Sequence, residues 1–455
     1  MPRVLLLLPT TTYRAYAFME AALRLGVEVT VASEEASTLI RLNPSGLLRL
    51  NFDDPPEAAR QVVQFAGKHP IAAVVAVDDQ VTVCAATICQ ALGLRHNSVE
   101  SAHAARNKHR MRELLGQAGV PQPRYKLCSL DDDIVSIADR VEYPCVVKPL
   151  TLSGSRGVIR ANTDLEFVQA VVRLDHILRS EFRESHSSAL ESSRTRESSD
   201  RSLTTSATTL LRAPVLPAVA RQFLVEDFVA GPEVALEGLL TRGTLRVLAL
   251  FDKPDPLDGP FFEETIYVAP SRLPVSVQAD IARCTSHACR AMGLTEGPVH
   301  AELRINVVGA PQIIEVNPRS IGGLCSRVLR FGTGLSLEEL IIRHALDGDD
   351  AAPPRENQPA GVMMIPTPRA GVLTEVRGLD QAQTVPGIEE VVISAHLGQQ
   401  LVVLPEGSLY LGFIFARAAC AEDVEAALRA SHGRLEFMIQ PSADSGPSVD
   451  ATEDV

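Results

Sequence analysis

Residues 299–323 read VHAELRINVVGAPQIIEVNPRSIGG: two apolar runs joined by a short Gly-containing stretch, the second ending in a carboxylate, an amide and a guanidinium at alternate positions. The runs VHAELRIN (299–306) and QIIEVNPR (312–319) predict a β-hairpin closed through VVGAP. A two-residue turn at Val308-Gly309 puts Glu302 opposite Glu315, and a four-residue loop puts Glu302 opposite Asn317 with Glu315 diagonal to it. In both registers the two carboxylates share one face. Like charges placed so destabilise a sheet by up to about 1 kcal/mol unless a cation lies between them. Glu302, Glu315 and Asn317 offer only oxygen, which suits a hard ion such as Mg²⁺ rather than zinc. The bland alternative, a solvated acidic face, is disfavoured because Ile313, Ile314 and Val316 mark a buried strand. Arg319 follows on the same alternation, with Pro318 restricting the backbone before it. Its guanidinium suits a phosphate or a developing oxyanion, and a salt bridge to one of the glutamates is the equally weighted alternative.

The totals leave room for such a site inside a large core. A chain of 455 residues has the length of roughly three domains. Its 45% hydrophobic and 22% charged residues are ordinary for a globular protein, although Trp is absent. A net charge of −13 argues against nucleic acid or an anionic membrane as partner, since both need clustered Lys and Arg. Small-molecule chemistry is the better expectation. The start, MPRVLLLLPTTT, holds too few apolar residues for a signal segment or a membrane span and reads as a strand. The eight cysteines form no CxxC pair, and Cys84, Cys89, Cys128, Cys145 and Cys325 sit in apolar segments where reduced, buried thiols belong; a cytoplasmic location follows.

Upstream, RVLLLL (3–8), an amphipathic helix over 13–25 stopped by Gly26, and VEVTVA (27–32) form a βαβ unit. A helix near 56–68, IAAVVAVD (71–78) and a helix over 80–92 closed by Gly93 continue it as a parallel, Rossmann-like sheet. The first turn lacks G-x-G-x-x-G, so a dinucleotide is not expected there. A basic-faced helix over 104–118 opens a second, strand-rich region. Within it, residues 180–213, rich in Ser, Thr, Arg and Glu, predict a flexible insertion, and 441–455 a disordered tail. Between them, 360–440 reads as a small α+β domain with one helix, 421–431, behind the linker PPRENQP (353–359).

Two more stretches carry polar groups in a suggestive order. YPCVVKPLTLSGSRGVIRA (143–161) places Lys148 before the small-residue loop 151–157, whose N–H groups around Ser153, Gly154 and Ser155 could cradle phosphate. An ordinary hairpin turn is the alternative, and the loop is not a Walker A motif. QFLVEDFVAGPEVALEG (222–238) carries Glu226 and Asp227 on a strand that turns at Ala230-Gly231-Pro232 and restarts with Glu233; alone, it reads as a plain edge hairpin.

Taken in order, Lys108 on a helix, Lys148 before a Gly/Ser loop, EDFV, and the HAELRIN…IIEVNPR hairpin resemble the ATP-grasp superfamily over about residues 104–345. The E-x-N-x-R-x-x-G-G pattern and the 360–440 region look most like the bacterial L-amino acid ligases, which make dipeptides, and related carboxylate–amine ligases. The resemblance implies a Rossmann-like pre-ATP-grasp domain over 1–103, an ATP-grasp domain over 104–345 with a lid at about 124–228, and a C-terminal α+β domain over 360–440. It further implies that Lys108 and Lys148 contact ATP phosphates under the loop 151–157. The backbone of Glu226, Asp227, Phe228 and Val229 would hold adenine, and Glu233 the ribose. Glu302, Glu315 and Asn317 would bind Mg²⁺, with Mn²⁺ as a substitute, and Arg319 and Arg304 are the candidate catalytic cations. The implied reaction joins a small carboxylate, as an acyl phosphate, to an amine, in a chain that could form a homodimer. A ligase of purine-biosynthesis or carbamoyl-phosphate type, or a nucleotide-binding protein without turnover, stays open. In PFFEETIYVAP (260–270), Tyr267 stands where the amino acid ligases usually have His, which leaves the substrates open too.

Overall fold

The computed structural model describes residues 1–35, 43, 45–197, 216–347 and 353–441. The buried run Arg3–Leu7 pairs in parallel with Glu28–Ser33 on one side and Ala73–Ala76 on the other, and Leu47–Arg49 extends the sheet beyond Glu28–Ser33. The helix Ala15–Leu25 ends where Gly26 turns left-handed at φ 64°, a conformation that costs glycine little. Because the chain winds from Arg3–Leu7 to one neighbour and later to the other, the sheet switches direction beside this strand. The crevice beyond the carboxyl ends of Arg3–Leu7 and Ala73–Ala76 is therefore the place where an open sheet of this kind holds what it binds.

The helix expected over 104–118 is two helices, Val99–Arg106 and Lys108–Gln117. Asn107 is extended (φ −115°, ψ 106°) and caps the second helix, its side chain accepting from Arg110 N. An Asx cap offers the backbone an alternative to continued helix, and apolar spacing alone does not register it. The break leaves Lys108 N–H free to reach Leu150 O at 3.0 Å, which ties the helix to the end of the Lys148 strand.

Residues between 124 and 228 build a separate antiparallel sheet in the order Tyr125–Ser129, Gln222–Asp227, Cys145–Pro149, Ile159–Ala161. The helix Asp164–Glu197 covers it through Phe167, Val171 and Leu174. The helix runs on through residues 180–197, the first half of the segment expected as an insertion, since extending an existing helix is far cheaper than nucleating one. The remainder of the expected insertion, and the tail from 442, lie outside the described residues.

The largest sheet has eight strands, in the order Pro311–Asn317, Gly297–Ile305, Glu233–Thr241, Thr244–Asp252, Ile266–Ala269, Ala360–Ile365, Gly412–Arg417 and Ile388–Ile393. The 360–440 region thus shares one sheet with the hairpin strands, joined where Ala360–Ile365 pairs with Ile266–Ala269. It holds two helices, Leu379–Gln383 and Ala421–His432, where one was expected. Helix Val275–Ala291 seals the other end of the sheet, packing Ile281, Cys284 and Ala288 with Leu303 and Ile313. All eight cysteines are unbridged and seven are buried. Among the described residues no helix is long and apolar enough to cross a membrane.

Candidate functional site

The hairpin forms through neither of the two expected turns. Five residues, 306–310, close it, and Asn306 pins them: its N–H reaches Ala310 O, and its Oδ1 accepts from Val308 N and Ala310 N. A bulge then restores the register, so that Leu303 faces Ile313 while Glu302 faces Glu315 and His300 faces Asn317. A bulge leaves a carbonyl unpaired. Arg112, from the helix Lys108–Gln117, takes Ile313 O at 3.0 Å and Ile314 O at 2.8 Å. The same guanidinium forks onto Glu226 at 2.7 and 3.1 Å, and Lys148 Nζ meets Glu226 Oε2 at 2.6 Å. Hairpin, helix and Lys148 strand are thus locked through one buried arginine. Burial opposes ionisation of Glu226, but Arg112 and then Lys148 override it and hold the carboxyl at about 2.

On the other side of the hairpin, Arg304 lies opposite Glu233 and His300 opposite Glu237. Arg304 donates to Glu233 Oε2 at 2.8 Å, to Val229 O at 2.9 Å and to Leu257 O. Every guanidinium nitrogen is engaged, and the residue is buried, so Arg304 fixes the Glu226–Val229 segment against the loop after Thr244–Asp252. Phe228 completes this joint, with Arg160 and Arg304 over its ring at 4.1 and 5.0 Å. Asp227 points away, paired with exposed Arg124 at 2.6 Å.

Lys108 Nζ donates to Leu152 O at 2.7 Å and stands 3.3 Å from Glu315 Oε1, linking the 151–157 loop to the hairpin carboxylate. In that loop Gly154 and Ser155 both take positive φ, 64° and 57°. Among the described residues the N–H groups of Ser153, Gly154 and Ser155 meet no protein acceptor. A turn of that kind gathers amide hydrogens toward an anion. Loop closure reaches the C-terminal region, where Gly157 N donates to Pro405 O at 2.9 Å and Arg156 Nε to Glu406 O at 3.1 Å.

Arg319 pairs with neither glutamate weighed as its salt-bridge partner. Its Nε and Nη2 both donate to Asp79 Oδ2, from the crevice of the first sheet. From the same crevice Arg14 donates to Val77 O at 2.6 Å and to Ser320 O and Oγ, and Tyr13 Oη accepts from Gly323 N at 2.7 Å. The Arg319–Gly323 segment is therefore held by loops that follow Arg3–Leu7 and Ala73–Ala76. Burial raises the Glu237 carboxyl well above its usual range, and Ile321 N donates to it. Burial also lowers His300 to about 3, which leaves a neutral imidazole beside Glu302.

Lys253, Glu264 and Tyr267 complete the site. Lys253 Nζ bonds Glu233, Glu264 and Glu302 at 2.6, 2.5 and 3.1 Å. Tyr267, in the position singled out in the sequence, is buried and puts its ring 4.9 Å from that ammonium. Lys253 pairs all three of these carboxylates, and around them lie an oxygen-only donor set and three cations, Lys108, Lys148 and Arg319, each paired with a single carboxylate. Such a site can neutralise a polyphosphate and one developing oxyanion.

Comparison with known proteins follows the same order along the chain. An ATP-grasp N-terminal domain model matches residues 19–96, an ATP-grasp domain model 206–328, and an L-amino acid ligase C-terminal domain 2 model 363–440. The crystal structure of the L-amino acid ligase from Bacillus licheniformis superposes with a TM-score of 0.75 at 25% identity, over 97% of this chain and 99% of that one. An uncharacterized protein of Sinorhizobium fredii is 22% identical over 98% of this chain and 84% of its own length. Alanine–anticapsin ligase of Bacillus subtilis is 23% identical over 65% of this chain, and the match spans 58% of that ligase.

Proposed function

We propose, for a chain that belongs to the ATP-grasp superfamily and carries the C-terminal domain of the L-amino acid ligases, that it activates a small carboxylate with ATP and joins it to an amine. Amino acids are the substrate class this reading favours. A carboxylate resists an amine because its charge repels the nucleophile and oxide is a poor leaving group. Moving the γ-phosphoryl group onto a carboxylate oxygen, with ADP leaving, gives an acyl phosphate. Amine attack on the acyl carbon then breaks the C–O bond to phosphate, and the nitrogen gives up a proton. Neither step needs a protein nucleophile, only positioning and charge neutralisation.

The residues fit that demand. Glu302, Glu315 and Asn317 would hold Mg²⁺, whose charge neutralises the phosphates; the donors are all oxygen, and two of them face one another across the hairpin. Lys108 and Lys148 exchange their carboxylate partners for phosphate oxygens, and the amides of Ser153, Gly154 and Ser155 close over the same group. The hinge from Glu226 to Val229 takes the adenine edge, and Glu233 stands toward the ribose. Arg319, aimed by Asp79, stabilises the oxyanion of the acyl phosphate and of the tetrahedral intermediate. The observation that carries the reading is the opposition of Glu302 and Glu315 with Lys108 at 3.3 Å from Glu315.

The test is phosphate release from Mg·ATP, screened against pairs of amino acids and other small acids and amines. Release that needs both an acid and an amine is the expected result. No release with any pair, despite measurable ATP binding, would replace the ligase by a nucleotide-binding protein without turnover.

A further inference from the structure

Glu233, Glu264 and Glu302 present carboxylate oxygens that all lie within 4.8 Å of one another. Oxygen ligands around a single hard ion at about 2.0–2.6 Å would be spaced in the same way. Three carboxylates so close repel one another strongly where water is scarce, so the cluster requires a cation. We propose that Lys253 is a built-in counter-ion, whose ammonium stands where a divalent cation would otherwise bind and holds Glu302 in place across the hairpin.

The geometry around Lys253 argues for this role over that of a phosphate ligand. Its Nζ carries three hydrogens and meets three carboxylates, one from each of three segments. The side chain is only 3% exposed, and the face of Tyr267 closes the remaining side at 4.9 Å. Lys108 and Lys148, by contrast, each pair with a single carboxylate and keep donors to exchange. A compact ammonium also suits acceptors that converge on one point, whereas the planar fork of arginine suits a single carboxylate. The backbone fixes the placement: Asp252, just before Lys253, is in register with Val234 and Val268, so the side chain rises between the strands of Glu233 and Tyr267.

A tethered cation differs from a metal in when it is present. Metal bound with nucleotide departs with it, while Lys253 stays, so Glu302 and Glu233 keep their positions between turnovers. The inference rests on the ligase reading only for the role given to Glu302, and a cation count without nucleotide is independent of turnover.

The experiment is Mn²⁺ binding to the full chain without nucleotide, followed by electron paramagnetic resonance of the free ion. Lys253→Met is expected to bind one Mn²⁺ more per chain than the wild type, and adding Glu264→Gln is expected to remove that gain. Equal counts in the wild type and Lys253→Met would overturn the proposal, as would a gain that survives Glu264→Gln. Should Lys253→Met fail to fold, Glu264→Gln alone decides: an unchanged count supports the proposal, and the loss of one Mn²⁺ overturns it, because the cluster would then already hold the ion.

Discussion

One oxygen of Asp79 accepts from both Nε and Nη2 of Arg319, at 3.0 and 2.9 Å, across 240 residues of sequence. The guanidinium at the end of the hairpin strand is thereby aimed by the first sheet, with Nη1 also donating to the neighbouring Ser320 O at 3.0 Å. Burial opposes ionisation of Asp79, yet Arg319 beside it keeps the carboxyl below its ordinary range, so the pair is charged at neutral pH. Asp79→Asn keeps the shape and removes the charge. It should lower kcat about 10- to 100-fold, the worth of a hydrogen bond to a charged group, with Mg·ATP affinity unchanged. Steady-state kinetics beside calorimetric ATP binding checks this, and a loss confined to ATP affinity would refute it.

Glu226→Gln should cost about 3–5 kcal/mol at pH 7, because it leaves Arg112 and Lys148 buried against a neutral amide. With its folded value depressed to about 2, Glu226 contributes stability that is whole above its ordinary 4.5 and is lost as pH falls toward 2. The gap between wild type and variant should therefore close over that acid window. Urea unfolding at a series of pH values measures it, and a gap constant from pH 7 to pH 3 would be the contrary result.

Glu315→Gln should abolish phosphate release while circular dichroism stays that of the wild type, since Glu315 is partly exposed and its partner Lys108 also has Leu152 O. Retained activity would remove Glu315 from the metal set.

The 151–157 loop should loosen in Glu406→Ala. Arg173 forks onto Glu406 at 2.6 and 2.8 Å, but both side chains are well exposed, so the pair is worth at most about 1 kcal/mol. Cleavage by trypsin at Arg156 should rise up to about fivefold, a 1 kcal/mol effect, while the contacts to main-chain carbonyls, Gly157 N to Pro405 O and Arg156 Nε to Glu406 O, remain. An unchanged cleavage rate would show that the loop is held without the Glu406 side chain.

Strand alternation reached the pairing of Glu302 with Glu315 although neither expected turn forms. The bulge beside Ile314 offsets the five-residue turn, and the sequence does not reveal it because the adjacent Ile313 and Ile314 do not say which of them faces the core. Three of the four strands of the first sheet were equally legible as apolar runs, with Gly26 and Gly93 closing two of its helices, whereas the three-residue edge strand Leu47–Arg49 was too short to register. Asp79 and Lys253 were not. Each follows a strand in a polar pair of residues, and what makes each one matter is a partner more than ten residues away, supplied by strand order rather than local pattern. The helix through 180–197 escaped because composition reports whether a segment can bury surface, not whether a helix already started will continue into it.

The strand Ile266–Ala269 is only four residues long, every one of them buried, and it has Ala360–Ile365 along its outer edge. Cutting the chain near residue 359 would uncover a row of unpaired amides and carbonyls in an apolar setting, a template for chain-to-chain stacking. The 360–440 segment therefore cannot be traded like a cassette when new specificities are engineered. A transplant has to carry Ile266–Ala269 and its flanking FFEET stretch with it, and with them Glu264 and Tyr267.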